Sequence, residues 1–369
     1  MHIVKSLVRP VMVAALALAG AACLAQDGIG KSSVVLGQSL ALTGPAAALA
    51  LPFHQGAKMY FDRVNAAGGI NGRKLELVTL DDGGDPATTA ANTQKLLAQG
   101  VLSLFGYYGS PQVTAAYPAI KDGDTILFAP MAAADEFRGS VYPNVYTLRP
   151  GYSEEAAAIM RHAETLGARK LAILHAADGE SLAALDASER GMVGRANLVA
   201  RVPITEVAKA LATQPESVLV IGDPRAAAVA IRDLRGKGFR GPVYGYSNTG
   251  ESLLAEQLGA AGAGVVVVRV VPKSDNAKVA VVRELQADAA AAGLGKPNVY
   301  MLEGYIAARV YAEALRRSPR ELTRARFRKA LEGMDDVSVG GFRVHFMQER
   351  VASRLVELSL IDSAGRIRE

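Results

Sequence analysis

The sequence predicts an α/β protein made of two doubly wound, parallel-sheet lobes, on three observations. A strand–helix–strand unit occupies residues 34–86. Apolar strands and helices then alternate in two series, one before and one after about residue 150, which is typical of parallel sheets covered by helices on both faces. The chain of 369 residues is long enough for two lobes of roughly 150 residues each.

The strand–helix–strand unit follows from hydrophobic periodicity and turn residues. Residues 34–40 form a short apolar run. A helix follows, with apolar side chains at helical spacing at Phe53, Ala57, Phe61 and Val64. Gly68 and Gly69 end this helix, because glycine adopts the left-handed C-terminal cap without strain. A second buried strand at 75–80 completes the unit, so the two strands should be parallel neighbours.

The remaining elements repeat this alternation. Asp85-Pro86 and Ser110-Pro111 each place a capping residue before a proline at the first helical position. Further strands are predicted at 101–105, 125–129, 145–149, 170–175, 198–202, 217–222, 243–246 and 264–271. Late helices are predicted at 277–292, 299–317 and 323–332, and closing strands at 341–346 and 354–361. Ligands of such sheets bind beyond the carboxyl ends of the strands, and we expect Asp81 and Asp82 to shape the loop there.

Three segments carry a resemblance to a known family: LTGPAA at 42–47, VNAAGGINGRKLELVTLDD at 64–82 and DP at 85–86. With them the chain resembles the leucine/isoleucine/valine-binding branch of the periplasmic binding proteins, the soluble receptors of ABC importers, over about residues 34–361. The resemblance implies the type I periplasmic binding protein fold, with three hinge crossings near 149–150, 271–273 and 340–342. Lobe 1 would comprise residues 26–149 plus 273–341, and lobe 2 residues 150–272 plus 342–369.

The N-terminal segment predicts export. Lys5 and Arg9 precede an apolar stretch at 11–22, and small residues follow, as in a cleaved secretory signal peptide of residues 1–25. The protein would then work in the periplasm. The alternative is a lipoprotein anchored at Cys23, the only cysteine of the sequence. With that residue removed or lipidated, the mature protein can form no disulfide.

Composition and residue spacing argue against other classes of function. A formal net charge of +5 is too small to indicate nucleic-acid binding. The histidines are scattered, so we expect no metal site and no cofactor. Gly-Glu-Ser segments at 179–183 and 250–254 begin like a nucleophile elbow but lack its closing glycine, which leaves an exported hydrolase as the weaker alternative to a protein that is not an enzyme. The basic run at 316–329 is interpreted as a solvated helix surface, with permease docking as the alternative.

Ser110 is the first candidate binding residue. It follows a strand and begins a helix, where backbone N–H groups and a hydroxyl can hold an anion; the alternative is a helix cap alone. The resemblance implies that two loops clamp a ligand carboxylate, which gives Gly109, Ser110, Met131, Ala132 and Ala133. It also implies a pocket position for Leu49, where the relatives place an aromatic. Tyr108 and Tyr152 stand beside these loops and suit a ligand with one apolar face, while the alternative for Tyr152 is packing at the hinge.

The second lobe departs from the family pattern. Its first loop, 175–180, contains Asp178 but lacks the Tyr-Gly pair usual there. A later loop reads Tyr246-Ser247, where an amino-acid receptor has a glutamate at about Ser247 for the ligand's ammonium. Since a buried ammonium without a carboxylate partner is costly, the expected ligand is a carboxylate or another neutral-to-anionic small molecule. We expect a monomeric receptor that closes on this ligand and delivers it to an ABC permease in the inner membrane; a signalling receptor of the same fold is the alternative.

Overall fold

The computed structural model describes residues 27–192, 196–346 and 350–368, so the predicted signal peptide and Cys23 lie outside the described residues. Its strands are β1 (Ser33–Leu40), β2 (Lys74–Asp81), β3 (Ser103–Phe105), β4 (Leu127–Phe128), β5 (Val145–Tyr146), β6 (Lys170–His175), β7 (Asn197–Pro203), β8 (Ser217–Ile221), β9 (Val243–Gly245), β10 (Val265–Arg269), β11 (Val337–Val339), β12 (Phe342–Val344), β13 (Glu357–Ile361) and β14 (Ile367–Arg368). Its helices are α1 (Ala47–Ala66), α2 (Pro86–Gln99), α3 (Ser110–Ala116), α4 (Tyr152–Thr165), α5 (Gly179–Met192), α6 (Val207–Ala212), α7 (Pro224–Gly236), α8 (Glu251–Leu258), α9 (Ala280–Ala291), α10 (Val299–Arg317) and α11 (Arg324–Glu332). Within these ranges no helix is long and apolar enough to cross a bilayer.

A five-stranded parallel sheet forms the first lobe, in the order β2-β1-β3-β4-β5. The strand–helix–strand prediction is confirmed, since β1 and β2 pair in parallel and α1 connects them. Asp85 caps α2 by accepting a hydrogen bond from the Thr88 N–H at 2.8 Å, with Pro86 in the first turn. The late helices α10 and α11 return to this lobe, where their apolar residues join the core of Phe53 and Phe105.

Helix α10 forms the centre of the first core and is buried on almost every side. It packs along α1 with the two backbones in close approach. A Cβ atom on Gly304 would lie 1.9 Å from the carbonyl oxygen of Phe53, and one on Gly56 would lie 1.9 Å from that of Met301. Only glycine permits this spacing. The contact fixes the position of α1, whose first turn borders the cleft between the lobes.

A seven-stranded sheet forms the second lobe, in the order β14-β13-β10-β9-β8-β6-β7. Its strands from β10 to β7 are parallel, whereas β13 and β14 run antiparallel at one edge. Two separate apolar clusters cover its faces. The predicted class, two α/β lobes with parallel sheets, is confirmed, and the antiparallel edge is a feature that the βα alternation did not indicate.

The last passage between the lobes comes later than predicted. Strand β12 forms a hairpin with β11 and buries Phe342 and Val344 in the first core. Farther along, the Ala352 N–H donates to the Thr147 carbonyl at 2.8 Å, and the chain joins the second sheet only at β13. A crossing at 340–342, with lobe 2 resuming at 342, is therefore too early, because the apolar residues of β12 belong to the first lobe.

Candidate functional site

A cleft of about 770 Å³ lies between the two lobes at the carboxyl ends of their parallel strands. Loops after β1, β2 and β3 form one wall, and loops after β6, β8 and β9 form the other. Open α/β sheets bind their ligands at this edge. The first wall is mostly apolar and includes Pro45, Leu49 and Tyr108. The second wall carries polar and charged side chains: Asp178, Glu180, Asp223, Arg225 and Asn248.

The predicted contact residues divide into three groups. Those that line the cleft are Leu49, Tyr108, Gly109 and Asp178. Ser110 borders a neighbouring cavity of about 840 Å³, which shares Pro111 and Gly179 with the cleft. The remaining six are buried and do not line the cleft: Met131, Ala132, Ala133, Tyr152, Tyr246 and Ser247. The structure thus brings the loops together as expected but turns several of the predicted side chains into the core.

Ser110 already donates a hydrogen bond to a carboxylate, that of Glu180 in the second lobe. Its backbone N–H donates to one oxygen of Glu180 at 2.5 Å, and its hydroxyl accepts from the Ala134 N–H at 3.2 Å. The second oxygen of Glu180 accepts from the Tyr152 hydroxyl at 2.5 Å. Ser110 does not act as the N-cap that the sequence predicts, because Gly109, with φ of 99°, occupies that position. The Ser110 N–H, which the sequence predicts to hold a ligand anion, is thus paired with the protein's own Glu180 carboxylate.

Tyr152 and Tyr246 form part of the second-lobe core. Their rings pack edge to face with centroids 5.1 Å apart. The Tyr246 hydroxyl shares a hydrogen bond with that of Ser188 at 2.5 Å. Burial and the neighbouring Glu180 carboxylate raise the pKa of Tyr152 well above its usual value, so this tyrosine stays a hydrogen-bond donor to Glu180. The ring of Tyr152 thus packs in the second-lobe core, while its hydroxyl donates to Glu180, which lines the cleft.

Ser247 lies in a buried ionic cluster. Its N–H and hydroxyl donate to Glu155 at 2.9 and 2.8 Å, and its hydroxyl also contacts Arg149. Arg149 stands between Glu155 of the second lobe and Glu303 of the first, 3.5 Å from each. Burial raises the pKa of both carboxyls, and the guanidinium partly offsets this. A carboxylate does lie beside Ser247, but it is that of Glu155 in α4, and it forms an ion pair with Arg149.

The predicted role of Asp81 and Asp82 as loop-shaping residues is confirmed. Asp81 accepts hydrogen bonds from the Leu42 N–H at 2.9 Å and from the Thr43 hydroxyl at 2.7 Å. Asp82 is buried and accepts from the Ser39 hydroxyl at 2.8 Å. Together the two carboxylates tie the loop after β1 to the end of β2. The apolar wall of the cleft is therefore built on a fixed backbone.

The sequence reasoning missed two cleft-lining residues, each of which holds a buried oxygen atom without a hydrogen-bond partner. Gln112 donates from Nε2 to the Gly84 carbonyl at 2.7 Å, while its buried Oε1 has no partner; the Oδ1 atom of Asn248 is likewise buried and unpaired. Glu180 was also missed, although it ends the loop that the sequence singled out as unusual. Its position in the first turn after a parallel strand was the available signal. No group of three or more His, Cys, Asp or Glu side chains in the described ranges is arranged to hold a metal ion.

Comparisons with known proteins agree with this geometry. A family model described as periplasmic binding protein matches residues 33–357. The leucine-specific-binding protein of Salmonella typhimurium is 27% identical over 262 residues, which cover 67% of this chain and 70% of that protein. A leucine-, isoleucine-, valine-, threonine-, and alanine-binding protein of Pseudomonas aeruginosa is 29% identical over 37% of this chain and only 35% of its own length. The crystal structure of an extracellular ligand-binding receptor from Verminephrobacter eiseniae superposes with a TM-score of 0.83 at 26% identity, covering 92% of this chain and all of that one.

Proposed function

Because the chain belongs to the periplasmic binding protein family, in its leucine/isoleucine/valine-binding branch, we propose that it is the substrate-binding receptor of an ABC importer. The observation that supports this is the cleft of about 770 Å³, which takes its walls from strand-end loops of both lobes. The family binds solutes, and we propose binding without catalysis here. We further propose that the protein is exported to the periplasm by its N-terminal segment and acts as a monomer beside an inner-membrane permease.

The proposed mechanism is closure of the lobes around the ligand. A ligand that contacts both walls does so fully only when the lobes are together, so it shifts the population toward the closed form. Contacts between the lobes favour this arrangement: Arg149 with Glu303, and the Tyr300 hydroxyl with the Ser247 carbonyl at 3.1 Å. The permease would then recognise the closed form.

The two walls suggest a ligand with one apolar and one polar side. Leu49 and Tyr108 offer apolar contact, and the opposite wall offers hydrogen bonds. The relatives are named for aliphatic amino acids, which have this character. A ligand carboxylate, the prediction from Ser110, would have to displace Glu180 from the Ser110 N–H. A ligand without a carboxylate needs no such displacement.

A thermal-shift screen of amino acids, aromatic acids, dicarboxylates and amides tests the proposed function. A ligand that binds only the folded protein raises the melting temperature by mass action. The radius of gyration from small-angle scattering should fall when that ligand is added. A tight ligand that leaves the radius unchanged would show that the lobes do not close around it.

A pair of variants locates the binding. Ala48 is exposed in the first turn of α1 and lines the cleft, so Ala48→Arg should fill the cleft and abolish the ligand-induced shift. Ala66, at the other end of the same helix and also exposed, gives the control variant Ala66→Arg. The two sites are about 27 Å apart along the helix axis. Equal ligand response in both variants would place the binding site elsewhere.

A further inference from the structure

We propose that Glu180 takes the place of a ligand carboxylate at the Ser110 N–H, so that this receptor selects ligands without a carboxylate. The inference rests on the proposed function, because it names the ligand class of the same cleft. It depends on one interlobe contact, between the Glu180 carboxylate and the Ser110 N–H.

The Glu180 carboxylate is held from both lobes. The Ser110 N–H of the first lobe and the Tyr152 hydroxyl of the second each donate to a different oxygen, both at 2.5 Å. Asp178 fixes the start of α5 by accepting from the N–H and hydroxyl of Ser181 at 3.0 and 2.7 Å. Glu180 is thereby placed in the first turn of the helix, facing the first lobe.

The backbone beside Glu180 is adapted to this contact. A Cβ atom on Gly179 would lie 2.5 Å from Cγ of Pro111, the residue after Ser110. Any other residue at 179 would push the start of α5 away from the first lobe. The glycine therefore lets Glu180 reach across the cleft.

A second carboxylate at this position would meet two obstacles. The Ser110 N–H is already paired, and Glu180 would repel another anion at close range. The ligand-carboxylate position is thus both occupied and electrostatically closed in this arrangement.

Two residues that line the cleft each hold a buried acceptor atom without a hydrogen-bond partner. Gln112 is only 6% exposed, and its Oε1 has no partner because its Nε2 is paired with the Gly84 carbonyl. Oδ1 of Asn248, on the opposite wall, is also buried without a partner. Both oxygens are closed off from the cleft surface, so the ligand class follows from Glu180 and the apolar wall. Aliphatic amides combine an uncharged polar group with a surface for the apolar wall.

Chemical rescue by acetate tests whether Glu180 fills a carboxylate position, and it requires no knowledge of the natural ligand. Glu180→Ala removes the carboxylate and leaves space at the Ser110 N–H. Sodium acetate should then raise the melting temperature of Glu180→Ala, while the same concentration of sodium chloride should not. Acetate should leave the wild type unchanged. The control is Glu164→Ala, which truncates an exposed glutamate of α4 and should not respond to acetate.

Two further variants keep the test decisive. Glu180→Gln retains the shape of the side chain and should not respond to acetate, because the amide still fills the space. Adding Tyr152→Phe to Glu180→Ala removes the second donor and should weaken the acetate effect. If Glu180→Ala does not fold in plain buffer, recovery of its circular dichroism on adding acetate supports the proposal. Failure of acetate to act on Glu180→Ala, or an equal effect on the wild type, overturns it.

The ligand class is tested with 4-methylpentanamide and 4-methylpentanoate, which share one carbon skeleton. The wild type should bind the amide about tenfold more tightly or better, the ratio expected for one hydrogen bond at a charged site, and Glu180→Ala should reverse the order. Tighter binding of the pentanoate by the wild type would overturn the role of Glu180 while leaving the receptor function intact. If instead the receptor function is wrong, no ligand would reduce the radius of gyration or distinguish Ala48→Arg from Ala66→Arg. The acetate rescue of Glu180→Ala would be unchanged by that outcome.

Discussion

Replacing Gly304 by alanine should separate α10 from α1 and destabilise the first lobe. The added Cβ would lie 1.9 Å from the carbonyl oxygen and 2.7 Å from the carbonyl carbon of Phe53. Non-bonded carbon atoms prefer about 3.5–4.0 Å, so the contact with the carbonyl carbon is too short by roughly 1 Å and the contact with the oxygen is tighter still. The neighbour is helical backbone, which cannot rotate aside as a side chain can, and the two helices must therefore move apart.

The expected loss of stability is about 2 kcal/mol. Overpacking a core costs about 1–3 kcal/mol, and a clash with backbone belongs at the upper end of that range. Alanine returns about 1 kcal/mol through its better helix propensity. Because domains are stable by about 5–15 kcal/mol, a net loss of this size is readily measured.

Urea denaturation followed by circular dichroism gives the free energy of unfolding, and amide hydrogen exchange in α1 and α10 assigns the loss to the first lobe. The matched control is Gly236→Ala at the end of α7, where no atom lies within 4 Å of the added Cβ. That change should stabilise the protein by about 0.5–1 kcal/mol. If Gly304→Ala proved as stable as Gly236→Ala, the close packing of α1 on α10 would be refuted.

Two further predictions concern charged groups. Arg149→Met leaves Glu155 and Glu303 buried without their cation, and should cost about 3–5 kcal/mol at neutral pH in urea denaturation; a loss below about 1 kcal/mol would mean that the cluster is not held by this arginine. Hydrogen bonds from Thr43 and the neighbouring backbone lower the pKa of Asp81 below its usual value near 4, so the unfolded chain takes up this proton first as the pH falls. The stability that Asp81 adds is therefore complete above its unfolded pKa and is lost as the pH drops through the lower, folded one. Asp81→Asn should be less stable than the wild type at pH 7, and this difference in the free energy of unfolding should shrink toward about pH 3. A difference that stays constant with pH would contradict the carboxylate's role.

The first lobe illustrates what local sequence can predict about the site. Asp85-Pro86 marks the start of α2 correctly, and Asp81 and Asp82 hold the loop that they were expected to shape. These contacts join residues that turn chemistry and strand ends already bring together. The same reasoning located the cleft, because parallel strands end at one edge of their sheet.

Side-chain partners across the cleft could not be predicted in this way. Glu180 meets Ser110 from 70 positions along the chain, and Glu155 meets Ser247 from 92 positions away. The hydrophobic pattern of each helix determines its buried face, but the partner depends on how two lobes with separate cores come together. The ligand class inferred from Ser110 and Ser247 alone therefore lacked the two carboxylates that occupy those positions.

The sequence by itself determined the two-lobed parallel α/β class, the order of its elements and the sheet edge at which the interlobe cleft lies, because periodicity, caps and turns act over a few residues. Only the tertiary structure decided that β12 stays with the first lobe, that Arg149 joins two buried glutamates and that Glu180 occupies the predicted anion position. Those features arise from packing and hydrogen bonding between distant segments. Their partners lie far apart in the sequence, so no local pattern identifies them.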